Sequence, residues 1–189
     1  MEVKILSSFG LSIAAQFCGL PIGRAHKSAW LHASHRGVIH RDDVEILQRL
    51  ILAGDDHAKI MRMAQVWLLI RGPRYWWQQF ATYRIGMDMY SESTMHTLLR
   101  DGVTDKDFTP ETAYEAIDLV DSLIEAKRPL AEVKGALPEG FLQTRLVQVN
   151  YQTLRRMWRQ RKNHKLQEWQ EFFESIRLLP YANQLIFCE

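Results

Sequence analysis

What most narrows the fold of this chain is a change of hydrophobic period along its length. Residues 60–71 are dense in Val, Ile, Leu, Met and Trp, the composition of a strand with one face buried. Elsewhere the apolar residues recur at helical spacing. Val44, Leu47, Leu50 and Ile51 form one such stripe, with Asp42-Asp43 placed to cap it and Gly54 placed to stop it. Thr109-Pro110-Glu111 has the form of a helix start, a hydroxyl cap followed by proline in the first turn. Ala113, Ala116, Ile117, Val120, Leu123 and Ile124 continue as one apolar stripe that ends before Pro129. In the C-terminal third, Leu146, Asn150, Leu154 and Met157 share a predicted helical face, then Leu166, Trp169, Phe173 and Ile176 do, and Pro180 stops the pattern. Val3-Lys4-Ile5-Leu6 predicts an opening strand. The expected class is mixed α/β and helix-rich.

Length and composition set outer limits on this reading. A chain of 189 residues is most simply one domain, residues 1–189, and can bury a core without staples. A net charge of +2 points to no particular class of partner. Cys18 and Cys188 are far apart and form no CxxC pair, which disfavours a disulfide scaffold or a zinc module and fits a reducing, cytoplasmic compartment. Residues 11–22 are mildly apolar, but Gln16, Gly19 and Pro21 interrupt them. Neither a signal peptide nor a membrane span is expected.

Chemistry concentrates in residues 71–97, RGPRYWWQQFATYRIGMDMYSESTMHT. Carboxylate, guanidinium, imidazole, amide and hydroxyl groups lie close together there, a mixture suited to a polar, anionic small molecule rather than to a core. Each conspicuous residue also has a plainer reading. The six Trp residues fit a core or a subunit interface better than base stacking, because aromatics dominate burial energetics. The acid-free run from Arg145 to Lys165 fits a solvated helix face, although Tyr151 and Trp158 within it would suit nucleic acid or phosphate. His57, after Asp55-Asp56, fits a turn, and Glu92 between serines fits the cap of a helix beginning near Thr94. His26, His32, His35 and His40 fall in an expected loop and match no metal-ligand spacing, so no metal site is expected.

Taken in order, these residues resemble the signature of the flavin-dependent thymidylate synthases. In that family a histidine opens a strand pair, and an arginine and a glutamine lead to Arg-His-Arg and then to Asn-Glu-x-Ser-x-Arg-Tyr. Here His57 is followed at matching distance by Arg74, Gln79, Thr82-Tyr83-Arg84 and Ser91-Glu92-Ser93-Thr94-Met95-His96-Thr97. The family's second block is a basic residue before Leu-Pro, then Asn-x-Arg, then an arginine and a glutamine. Lys134, Leu137-Pro138, Asn150-Tyr151-Gln152, Arg161 and Gln167 occupy that order. The resemblance spans roughly residues 45–170. The departures cluster on cations: Thr82 and Tyr83 stand for Arg and His, Ser91 for Asn, and His96, Lys134 and Gln152 for Arg. Arginine and lysine differ where a planar fork grips phosphate, so an altered ligand or reaction is an open alternative.

The resemblance implies a helix-rich α+β domain with a small, mainly antiparallel sheet. It further implies a homotetramer with sites shared between subunits, FAD as cofactor, and dUMP as substrate. Methylenetetrahydrofolate would donate the carbon and NADPH the reducing equivalents. Residue by residue, it gives Arg161 the catalytic role of stabilising negative charge on the uracil ring. His57, Arg84, Glu92, Asn150, Gln152 and Arg156 would bind the cofactor. Gln79, Glu92, Thr94, His96, Lys134 and Arg161 would bind the nucleotide. A flavin route needs no protein thiolate, consistent with Cys18 in an apolar context and Cys188 at the chain end. Two alternatives stay open: a family-derived nucleotide-binding or assembly module without catalysis, and a basic helical domain binding nucleic acid through residues 145–165.

Overall fold

The computed structural model describes residues 1–22, 39 and 41–189; His26, His32, His35 and His40 lie outside them. The chain opens with β1 (Glu2–Phe9), which Gly10 turns in a left-handed conformation into α1 (Leu11–Phe17). Next comes α2 (Arg41–Ala53), which buries Val44, Leu47 and Ile51 as its stripe predicts. Asp42 and Asp43 sit in the first turn of α2, where carboxylates complement the helix dipole. β2 (Gln65–Pro73) runs directly into α3 (Arg74–Phe80), and β3 (Met87–Ser91) precedes α4 (Thr94–Asp101). A helical pair, α5 (Tyr114–Glu125) and α6 (Leu130–Ala136), leads to β4 (Leu142–Asn150). The chain then forms α7 (Tyr151–Arg161), α8 (Gln167–Ile176) and the short α9 (Ala182–Leu185).

The strands make one antiparallel sheet in the order β1-β2-β4-β3, the α+β arrangement that the resemblance implies. One sheet face buries Val66, Leu68, Ile70, Val147 and Val149 against the helices. The other leaves Trp67, Leu69 and Tyr90 exposed. Behind the buried face lies an aromatic cluster in which Trp76 sits 4.9 Å from Trp77, 4.7 Å from Phe80 and 5.3 Å from Trp169. Trp76 and Trp77 meet edge to face, an arrangement that adds to burial through ring electrostatics. A smaller core of Leu98, Phe108, Val120, Val133 and Leu137 holds α5 and α6.

Four expectations need correction. The apolar run 60–71 is not wholly strand: Lys59–Met63 form a 3-10 turn and the strand begins at Gln65, because Lys59 and Arg62 interrupt the alternation. Thr109-Pro110 does not start a helix. Phe108 pairs with Phe141, the Thr109 N–H donates to the Gly140 carbonyl (2.9 Å), and the Thr109 and Thr112 hydroxyls bond each other (3.1 Å). These contacts hold 109–112 as a turn, and α5 begins at Tyr114.

Leu146 belongs to a strand rather than to a helical face. β4 pairs on both edges, and burial of alternate residues Val147 and Val149 outweighs the chance helical spacing of Leu146, Asn150 and Leu154. Nor is the 145–165 run a solvated face throughout. Arg155 is only 6% exposed, and its guanidinium donates to the carbonyls of Ile186 (3.4 Å) and Cys188. Tyr151 is fully buried with its hydroxyl on the Pro180 carbonyl, and Trp158 packs edge-on against Phe187, so these aromatics are not free to stack on bases. Trp76, Trp77 and Trp158 are buried within the single chain and need no second subunit to cover them.

Candidate functional site

The strand-to-helix junction at Asn150 positions three of the predicted site residues, Asn150, Gln152 and Arg156. Asn150 Oδ1 accepts from the Thr153 N–H at 2.9 Å, capping α7, while its backbone N–H donates to the Gly86 carbonyl at 3.2 Å. Gly86 has φ +78, and a Cβ there would overlap the Asn150 amide nitrogen and lie 2.8 Å from Thr153 Oγ1. Glycine is therefore required by the close approach of two chains as well as by backbone conformation. The Thr153 hydroxyl donates to the Ile85 carbonyl at 2.9 Å and Arg156 donates to the same carbonyl at 3.3 Å. Around this knot lies a cavity of about 370 Å³ lined by Asp55, Arg62, Ile85, Gly86, Asn150, Gln152, Thr153 and Arg156. Gln152 is held from both sides: its Oε1 accepts from Arg62 Nε at 2.6 Å and its Nε2 donates to the Asp55 carbonyl at 3.0 Å. Asn150, Gln152 and Arg156, three of the six residues predicted to bind the cofactor, thus share one cavity, and His57, Arg84 and Glu92 do not line it.

Arg161 lies at the far end of α7, half-buried. Its Nε donates to the Tyr83 hydroxyl at 3.2 Å and its guanidinium lies 5.5 Å from the Trp169 ring centre. Trp169 Nε1 donates to Gln79 Oε1 at 3.1 Å, which joins two predicted substrate residues through one buried indole. Tyr83, only 4% exposed, also lies under Arg156, whose guanidinium is 5.7 Å from its ring centre. His164, just beyond, is held below the ordinary imidazole value by loss of solvation and by the nearby Arg161 and Lys165 charges.

A second polar cavity of about 400 Å³ is lined by Arg74, Trp77, Gln78, Ala81, Thr94, Lys134, Leu137, Gln143 and Arg145. Thr94 and Lys134, predicted to meet the nucleotide, come together here. Lys134 Nζ lies 3.5 Å from Met95 Sδ. Glu92 is exposed beside this region, its backbone N–H bonded to the Thr144 carbonyl (3.0 Å) and its Oε2 accepting from the Thr144 N–H (3.3 Å). His57, Arg84 and His96 are exposed. His57 lines a largely apolar cavity of about 680 Å³ with Phe17, Cys18 and Met63, while Arg84 and His96 line neither polar cavity. Burial pushes the Cys18 thiol up to about 11, so it is a poor nucleophile at neutral pH. No cluster of three metal-ligating side chains occurs among the described residues.

Sequence reasoning missed Arg62, Tyr83 as a partner of Arg161, Trp169 and Arg145. The alternation of Val147 and Val149 was the available signal for Arg145, since it marks a strand and separates that residue from the helical run.

The family model described as thymidylate synthase complementing protein matches residues 13–179. The chain belongs to this family, that of the flavin-dependent thymidylate synthases. No curated protein matches it in sequence. Two solved structures of flavin-dependent thymidylate synthase from Helicobacter pylori, both with FAD and dUMP, share its fold. One superposes with a TM-score of 0.72 at 20% identity, covering 99% of this chain and 98% of that one. The other gives 0.73 at 19% identity, covering 99% and 97%. At such identity the likeness establishes the fold, and the family match carries the membership.

Proposed function

We propose that this chain is an FAD-dependent enzyme that carries a one-carbon unit from methylenetetrahydrofolate to C5 of dUMP, with NADPH as reductant. The observation that carries the reading is the convergence along α7. Asn150, Gln152 and Arg156 line one cavity, and the same helix delivers Arg161 to Tyr83, Trp169 and Gln79. The cavity suits a dinucleotide: Arg62 and Arg156 bring positive charge for its diphosphate, and Asn150 and Gln152 offer amides to its polar groups. FAD, when bound, supplies the hydride that turns the transferred methylene into a methyl group.

The protein's own contribution is positioning and charge. Arg161, fixed by Tyr83 and Trp169, faces the negative charge that builds on the uracil ring as C5 attacks the carbon donor. A preorganised cation there lowers the barrier without reorienting. Gln79, Thr94, His96 and Lys134 meet the nucleotide, with Lys134 and Thr94 at its phosphate. His57, Arg84 and Glu92 contact flavin or nucleotide from exposed positions that line neither polar cavity. Their exposure in one chain agrees with sites completed by a neighbour in a homotetramer, and the exposed sheet face with Trp67, Leu69 and Tyr90 offers apolar surface for assembly. No helix among the described residues is long and apolar enough to cross a membrane; the proposed place of work is the cytoplasm.

One preparation tests the reading. Purified protein titrated with FAD should develop a saturable, protein-perturbed flavin absorbance. With dUMP, methylenetetrahydrofolate and NADPH it should form thymidylate. Absence of saturation up to millimolar FAD would favour the non-catalytic module. Tight, salt-sensitive binding of DNA or RNA in its place would favour the nucleic-acid reading.

A further inference from the structure

We propose that Arg145, a strand residue outside the resembling motifs, grips the phosphate of the nucleotide in the cavity that holds Thr94 and Lys134. The inference rests on the nucleotide reading for its ligand, but the cavity itself stands on geometry. Three cations, Arg74, Lys134 and Arg145, line about 400 Å³ together with the Thr94 hydroxyl and the amides of Gln78 and Gln143. Two carboxylates lie nearby: Glu139 is 3.6 Å from Arg74 and accepts from Gln78 Nε2 at 2.9 Å, and Glu92 accepts from the Thr144 N–H at 3.3 Å; among the described residues neither forms an ion pair with Lys134 or Arg145.

Arg145 is built into the wall. Its guanidinium lies 4.5 Å from the Trp77 ring centre, one Nη donates to Gln143 Oε1 at 3.0 Å, and Trp77 Nε1 ties the Gln143 carbonyl at 3.0 Å. The indole and the amide fix the plane of the fork and leave donors for a further acceptor. Its Nε is fully buried and has no hydrogen-bond partner among the described residues. Burial also disfavours its charge, since loss of solvation pulls the guanidinium below its ordinary value. A phosphate dianion in the cavity would restore the lost electrostatic solvation and satisfy planar donors in the paired geometry that suits arginine. The motif departures make such a residue useful: His96 and Lys134 stand where the resembling family has arginines, so guanidinium contacts are missing from the expected positions. Arg145 supplies one from the adjoining strand.

The ligand chemistry is a phosphate group, which dUMP, FAD or free phosphate could each provide. Titration calorimetry of the full chain with dUMP, deoxyuridine and inorganic phosphate separates these sources, with FAD followed by absorbance. Arg145→Gln should weaken dUMP binding about 10- to 100-fold, the effect of losing a charge-assisted hydrogen bond. Deoxyuridine and FAD binding should stay unchanged, and Arg145→Lys should recover part of the loss. Arg159→Ala, on an exposed part of α7, should leave all of them as in wild type. Arg74→Gln provides a second variant of the same cavity should Arg145→Gln fail to fold, and it should weaken dUMP in the same selective way. Wild-type affinity for dUMP in Arg145→Gln would overturn the proposal, as would an equal loss for dUMP and deoxyuridine, which marks a wall residue only. If wild type binds neither nucleotide nor nucleoside, the nucleotide reading fails. Phosphate binding that depends on Arg145 would then still uphold the anion cavity, and its absence would overturn that too.

Discussion

Replacing Gly86 by alanine probes the point where fold and site are the same set of contacts. Gly86 has φ +78, and a side chain there would collide with the Asn150 amide and crowd Thr153 Oγ1 at 2.8 Å. Two penalties follow. Holding alanine in the left-handed region costs about 1–2 kcal/mol. Displacing the Asn150 side chain removes the cap on the Thr153 N–H, worth about 1 kcal/mol. Together they come to about 2–3 kcal/mol, and at about 2–4 °C per kcal/mol for a chain of this size the melting temperature should fall by about 4–12 °C. Because Gly86, Asn150 and Thr153 also line the cavity proposed here for FAD, the flavin titration should weaken in parallel.

Thermal unfolding by circular dichroism, with and without FAD, measures both effects. A double-mutant cycle isolates the cause: in an Asn150→Ala background the cap is already gone, so Gly86→Ala should cost only the backbone part. A melting temperature within about 2 °C of wild type would refute the close packing of Gly86 on Asn150. Fully additive mutations would show that the amide does not transmit the effect.

Further expectations concern α7 and its surroundings. Arg161→Ala should lower thymidylate turnover by about 10²-fold or more while changing dUMP affinity little; steady-state kinetics showing equal turnover would remove Arg161 from the mechanism. Arg155→Met should destabilise the fold by about 1–3 kcal/mol in urea, because the Ile186 and Cys188 carbonyls lose their donor, while flavin binding persists. An unchanged urea midpoint would mean that the C-terminal residues are not anchored there. His164 should titrate below a free imidazole when followed by NMR. The neutral ring also accepts from the Leu166 N–H at 3.1 Å. With its folded value depressed, the unfolded chain takes up the proton first, so this contribution is present above the ordinary histidine value and fades as pH falls through the folded one. A His164 resonance titrating above the free value would contradict the influence of Arg161 and Lys165.

Legibility of the sequence varied with how local the deciding physics is. The α2 stripe, the α8 stripe and the opening strand rest on periodicity, and Val44, Leu47, Trp169 and Ile176 are buried as that periodicity requires. Thr109-Pro110-Glu111 carried a valid local start signal, but its groups are engaged by residues 140–141, far along the chain. Leu146 failed for the opposite reason: a four-residue spacing is shared by helices and by alternate strand positions, and only pairing with β2 and β3 separates them. The site residues divide in the same way. Asn150, Gln152 and Arg156 sit on one helical turn and its cap, so their order in sequence survives as neighbourhood in space. Thr94 and Lys134 meet because α4 and α6 share the smaller core, through Leu98 and Val133, a contact that spacing alone cannot reveal. Arg155 was assigned to solvent because its neighbours are cationic; the C-terminal carbonyls that bury it lie more than thirty residues away.

The position of Arg145 and Arg161 on one continuous piece of chain has a mechanical consequence. β4 is hydrogen-bonded on both edges and passes without a loop into α7, whose first turn is capped by the last strand residue, Asn150. Gln143 and Arg145 serve one cavity, Gln152 and Arg156 serve the other, and Arg161 ends the same helix. One continuous strand and helix thus contributes to the walls of both polar cavities, the two proposed here for nucleotide phosphate and flavin. The proposed reaction, which brings nucleotide, carbon donor and flavin together, would gain from this, because a reacting geometry set by a strand–helix unit needs little further ordering when ligands arrive. Changes at the junction, at Gly86 or Asn150, should therefore weaken flavin binding and lower turnover together, whereas changes at Arg145 should disturb nucleotide binding alone.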